Sequence, residues 1–73
     1  MPYPANEDLP AAVRGHLPQH AQDIFRAAFN NAWARYGAGD PRGREESARR
    51  IAWAAVKRRY EKAGRDWLPI AGA

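Results

Sequence analysis

Seventy-three residues with a formal net charge of +4 and no cysteine place this chain near the lower size limit for one self-sufficient hydrophobic core, with no disulfide or thiolate metal site to help it. Its longest uncharged stretches, such as Ala27 to Ala34, fall far short of the ~20 apolar residues that cross a bilayer, and Met1 to Asp8 lacks the basic start and apolar run of a signal peptide. The expectation is one domain over residues 1–73, ordered from about 2 to 70, that does not span a membrane and has a cytoplasmic address.

Pro2 and Pro4 hold the start extended around Tyr3. Asn6-Glu7-Asp8-Leu9-Pro10 reads as a helix start, with capping side chains, acids at the positive end of the dipole and a proline where its missing N–H costs nothing. That helix runs only to about Gly15. A second begins at Leu17-Pro18, and Ala21, Ile24, Phe25, Ala28, Phe29, Ala32, Trp33 and Tyr36 recur along it at steps of three and four, ending at Gly37. Gly37 to Gly43, with Pro41 inside it, reads as a connector.

The spacing then predicts a third helix from about Arg44 to Ala63. Glu45 and Glu46 lie in its first turn, Lys62 in its last, and Gly64 just beyond. Ala48, Ala52, Trp53, Ala55, Val56, Tyr60 and Ala63 spread over half its circumference, as in a helix wedged between others. Arg49 and Arg59 project from that face and are expected to snorkel out or to meet Asp23, Glu7 or Asp8. Trp67 is expected to fold back beside Tyr3. The predicted core is Tyr3, Leu9, Ile24, Phe25, Phe29, Trp33, Tyr36, Ala52, Trp53, Val56, Tyr60 and Trp67.

Catalysis is poorly supplied. Ser47 is the only serine, and threonine and cysteine are absent, so no nucleophile with an oriented base is in view and the chain is read as a non-enzyme. His16 and His20 have the spacing of a helical zinc pair, but Pro18 between them breaks the helix that would align them. Asp40, Glu45 and Glu46 are too few oxygens for a hard cation, with Arg42 and Arg44 competing beside them. No metal or cofactor is expected, and the three tryptophans read as core rather than as a stacking box.

The charge is uneven. Before residue 41, Arg14, Arg26 and Arg35 stand against Glu7, Asp8, Asp23 and Asp40; residues 41–65 carry nine Lys or Arg against three acids. Arg50, Lys57 and Arg58 on the outward face of the third helix, continued by Lys62 and Arg65, are the candidate contacts for a partner or for nucleic acid. The plainer reading is a solvated face that keeps a small protein soluble. Against a helix-turn-helix reader, the connector is longer than its usual 3 to 4 residue turn.

Several blocks in order closely resemble the ChaB family: Pro2 to Pro10, Leu17-Pro18-Gln19-His20-Ala21-Gln22-Asp23-Ile24, Ala28-Phe29-Asn30-Asn31-Ala32-Trp33, and Ala52-Trp53-Ala54-Ala55-Val56-Lys57 with Tyr60 and Trp67. The resemblance runs from Pro2 to Trp67. Its members are described as small bacterial regulators of cation transport, linked to a sodium or calcium/proton antiporter, and related sequences are described as DNA binders. It implies a mainly α fold, one short and two long helices with a small two-stranded sheet near Tyr3 and Trp67. It also implies a membrane antiporter, or else nucleic acid, as partner. The connector departs from the family pattern in being short and mostly cationic, which argues against cation sensing by that loop.

Overall fold

The computed structural model describes residues 2–35 and 40–70. In chain order these form a 3-10 turn at Asn6–Asp8, then helices α1 (Ala11–Arg14), α2 (Gln19–Arg35) and α3 (Pro41–Lys57), and strands β1 (Tyr60–Ala63) and β2 (Asp66–Pro69). One short and two long helices with a two-stranded antiparallel sheet is the mainly α class that the resemblance implies.

The first helix is broken where a proline dictates. Leu9 precedes Pro10, whose ring pushes it out of the helical region to φ −64° and ψ 151°. The chain therefore makes a 3-10 turn, steps across Leu9 and restarts as the single turn of α1. The detour buries Leu9, Val13 and Leu17 together, so Val13 and Leu17 join the predicted core residue Leu9.

The N-terminal segment is strapped to α2 by side chains. Asn30 mimics a strand neighbour: its Oδ1 accepts from the Tyr3 backbone N–H and its Nδ2 donates to the Tyr3 carbonyl, both at 2.8 Å. Arg26 donates through Nε to Asn6 Oδ1 at 2.7 Å, and Asn6 Nδ2 donates to Asp23 Oδ1 at 2.6 Å. Tyr3 sets its ring 4.8 Å from that of Phe29. Burial raises the phenol above its ordinary pKa, the Glu45 carboxylate adds to the rise, and Arg49 opposes it.

Ala21, Phe25, Phe29 and Ala32 line the buried face of α2, and Ala48, Ala52 and Val56 that of α3. Alanines at four-residue steps let the two backbones approach while the rings fill the remaining space. Arg44 near the start of α3 reaches Trp33 near the end of α2, and Trp53 late in α3 meets the Phe25 ring at 5.2 Å, so the pair runs antiparallel. Ile24, Trp33, Trp53 and Trp67 are half-buried against this core. Tyr36 lies outside the described residues.

Helix α3 departs from expectation at both ends. It begins at Pro41, with the Asp40 side chain accepting the Arg42 N–H at 3.4 Å, so Gly43 lies in its first turn rather than in a connector. It ends at Lys57, not Ala63. Tyr60–Ala63 instead pairs with Asp66–Pro69, in the register Tyr60 to Pro69, Glu61 to Leu68, Lys62 to Trp67 and Ala63 to Asp66. The first strand of the sheet is thus the segment read as the helix end, and the Tyr3 segment is not a strand.

Gly64 turns the hairpin with φ +64°, and Arg65 after it has a negative φ, the pattern of a two-residue type II′ turn. Pairing in a sheet puts opposed side chains on one face. Tyr60, Lys62, Trp67 and Pro69 therefore share one face, and Glu61, Ala63, Asp66 and Leu68 share the other. The first face turns to the helices, burying Tyr60 to 6 % exposure and setting Trp67 on Trp53 at 5.4 Å. Trp67 is placed by Trp53 rather than by Tyr3. Arg49 pairs with Glu45 at 3.5 Å on its own helix, not with the acids named above, and Arg59 is exposed.

Candidate functional site

The hairpin closes against the end of α3 and the outer side of α1 to leave an open groove of about 520 Å³. Its floor is aromatic: Trp53 and Trp67 line it with their rings inclined at 32°. Trp53 is held from beneath by Phe25, which meets it edge-on at 74°. One ring thus joins the core to the groove, fixing the floor by core packing.

The rim is cationic for reasons that are local in each case. Lys57 sits one turn beyond Trp53 on α3, so both project to the same side. Lys62 faces the groove because it stands directly opposite Trp67 across the hairpin. Arg65 follows Gly64 in the tight turn, which sets both at the edge. Across the groove stand Ala12 of α1 and His16 in the turn just beyond it. All three rim cations are exposed, and among the described residues the ion pairs are Arg26 with Asp23 and Arg49 with Glu45, both remote from the groove. The negative end of the α3 dipole favours Lys57 beside it, and the rim cations over an aromatic floor attract an anionic group with a flat or apolar neighbour.

Of the five candidate contact residues, Lys57, Lys62 and Arg65 come together here. Arg50 and Arg58 are exposed but do not line the groove. Charge alone points to these cations, with Arg50, Lys57 and Arg58 on the outward face of the third helix and Lys62 and Arg65 continuing it, but it does not show that His16, Trp53 and Trp67 complete the site. The available signal was Gly64-Arg65 between two short segments, a hairpin pattern.

The remaining candidates resolve differently. His20 packs its ring 6.3 Å from Tyr60, whereas His16 joins the groove, so the two histidines serve separate places. Among the described residues no three His, Asp or Glu side chains gather at metal-holding distance. Trp33 is stacked by Arg44, whose guanidinium carbon lies 4.1 Å from the ring centroid. No helix among the described residues is long and apolar enough to cross a membrane.

Comparison with known proteins bears on the family and the fold. The ChaB family model matches residues 9–69, from the buried Leu9 to the last residue of β2. The protein named "Putative cation transport regulator ChaB" in Escherichia coli strain K12 is 49% identical over 70 residues, covering 90% of this chain and 92% of that one. The protein of the same name in Shigella flexneri matches to the same extent. An NMR solution structure of ChaB superposes with a TM-score of 0.84 at 45% identity, over 96% of this chain and 100% of that one. Helices, hairpin and sequence blocks match together along nearly the full length, and the chain belongs to the ChaB family.

Proposed function

We propose that this chain is a non-catalytic regulatory protein that acts by docking on the cytoplasmic face of a cation antiporter, of the sodium or calcium/proton kind. The observation that carries the reading is the match along nearly the full length of relatives named as cation transport regulators. The groove supports docking as the mode of action: an aromatic floor anchors a partner, and rim cations steer and orient an acidic one. A role without catalysis is in keeping with a sequence whose sole serine is Ser47. The test is to mix purified chain with vesicles carrying the antiporter. The chain is expected to sediment with them and to alter cation flux, whereas no association with antiporter vesicles over empty ones rejects the reading.

A second reading, nucleic-acid binding through Arg50, Lys57, Arg58, Lys62 and Arg65, is favoured by the juxtaposition of three of these cations with Trp53 and Trp67. Basic rims over aromatic floors suit single strands, whose bases stack while phosphates meet the cations. It predicts binding that weakens steeply with salt, with a shallower slope once those residues are neutralised. Absence of a DNA or RNA complex at low salt rejects it.

A further inference from the structure

The groove does not end at Trp67. A second cavity of about 340 Å³ shares His16 and Trp67 with it and continues between the α1–α2 turn and the outer side of the hairpin, past Pro18 and Leu68 to Asp66. Leu68 is the most exposed large hydrophobic residue of the described chain, at 50%. The two cavities adjoin at His16 and Trp67, so a segment bent around the edge of β2 would follow one channel with unlike ends: Lys57, Lys62 and Arg65 at one, Pro18, Leu68 and the Asp66 carboxylate at the other.

We propose that this channel binds an extended peptide segment of a protein partner in which acidic residues are followed by an apolar side chain. The proposal rests on the docking reading and names the recognised segment. The carboxylates meet the rim cations, the backbone crosses Trp67, and the apolar side chain seats against Leu68 and Pro18. The charge distribution favours a peptide over a nucleic-acid strand. A strand carries a phosphate at every nucleotide, so its continuation would set an anion beside Asp66 and over apolar surface, where desolvation and like charge both oppose it. A peptide confines its charge to one end. The electrostatic part resides in Lys62 and Arg65 and the apolar part in Leu68; all three are exposed and replaceable without disturbing the core.

The experiment is an NMR titration of the full chain, following its three indole N–H signals. Trp53 and Trp67 report the channel, and Trp33, covered by Arg44, serves as internal control. The probes are a synthetic peptide of three glutamates followed by two leucines, a peptide of the same composition with the order interleaved, and an oligothymidylate. The block-ordered peptide is expected to shift the Trp53 and Trp67 signals saturably, leave Trp33 in place, and bind more tightly than the interleaved one. Lys62→Glu with Arg65→Glu is expected to weaken it about tenfold, the scale of one or two partly screened ion pairs. Leu68→Ser weakens it through the other end, and Arg50→Glu leaves it unchanged. Equal binding of both peptides, equal weakening by Arg50→Glu, or indole shifts with oligothymidylate alone overturns the proposal. If the peptides leave the indoles unmoved while the chain still sediments with antiporter vesicles, the channel assignment falls and the docking reading stands. Binding of the block-ordered peptide without vesicle association supports the channel and rejects the antiporter as its partner.

Discussion

Arg44 serves α2 and α3 at once. Its Nε and Nη2 donate to the Trp33 carbonyl at 3.0 and 2.8 Å, one of the last four of α2, which have no partner within the helix. The same guanidinium sits over the Trp33 ring, its carbon 4.1 Å from the centroid. A lysine keeps the charge but loses the planar stacking and the two-pronged contact. Arg44→Lys should cost about 1–2 kcal/mol, the scale of a cation–π contact plus one charged hydrogen bond, read from urea unfolding midpoints. Tyr3 supplies a pH test. Its phenol is raised in the folded chain by burial, with Glu45 adding and Arg49 opposing, so above the ordinary tyrosine range the unfolded chain has lost its proton while the folded chain retains it. Folding stability from this group is therefore intact below about pH 10 and is lost as pH rises through the folded value. Tyr3→Phe should flatten that alkaline fall in melting temperature.

At the scale of elements, the hairpin and the start of α3 show what was legible and what was not. Tyr60-Glu61-Lys62-Ala63 is as acceptable to a helix as to a strand, and four residues are too few for alternation to declare itself. Gly64 fits a helix terminus and a hairpin turn equally, so the choice is made by tertiary contact: only as a strand does Tyr60 enter the core while Trp67 reaches Trp53. Asp40-Pro41 did carry a start signal, a capping side chain followed by a first-turn proline, but the neighbouring glycines made the segment read as a connector. The break at Leu9-Pro10 follows from the steric rule for a residue before proline. Gly64 has φ +64°, and a Cβ added there would meet nothing within 4 Å. Gly64→Ala should accordingly cost about 1–2 kcal/mol, through backbone conformation rather than clash, with spectral change confined to the hairpin and Trp67.

On the scale of the whole molecule, a single buried cluster runs from Leu9 to Tyr60, and its aromatic chain from Tyr3 through Phe29 and Phe25 to Trp53 and Trp67 ends in the groove. Phe29 is 1% exposed, and Phe29→Ala should cost about 3–5 kcal/mol. That is a large share of the stability of so small a fold, so calorimetry is expected to show little or no cooperative melting. The helical core was legible because its alanines and rings repeat at helical spacing. The site was not, because Lys57 of α3, Lys62, Arg65 and Trp67 of the hairpin and His16 of the α1–α2 turn meet only once the hairpin forms. The measurement that tests the functional account most directly is cation flux through antiporter vesicles with the wild-type chain and with Lys57→Glu, Lys62→Glu and Arg65→Glu combined. A change in flux with the wild-type chain that the triple variant loses while remaining folded is the predicted result. Flux unaltered by saturating wild-type chain, or altered equally by the variant, would contradict it.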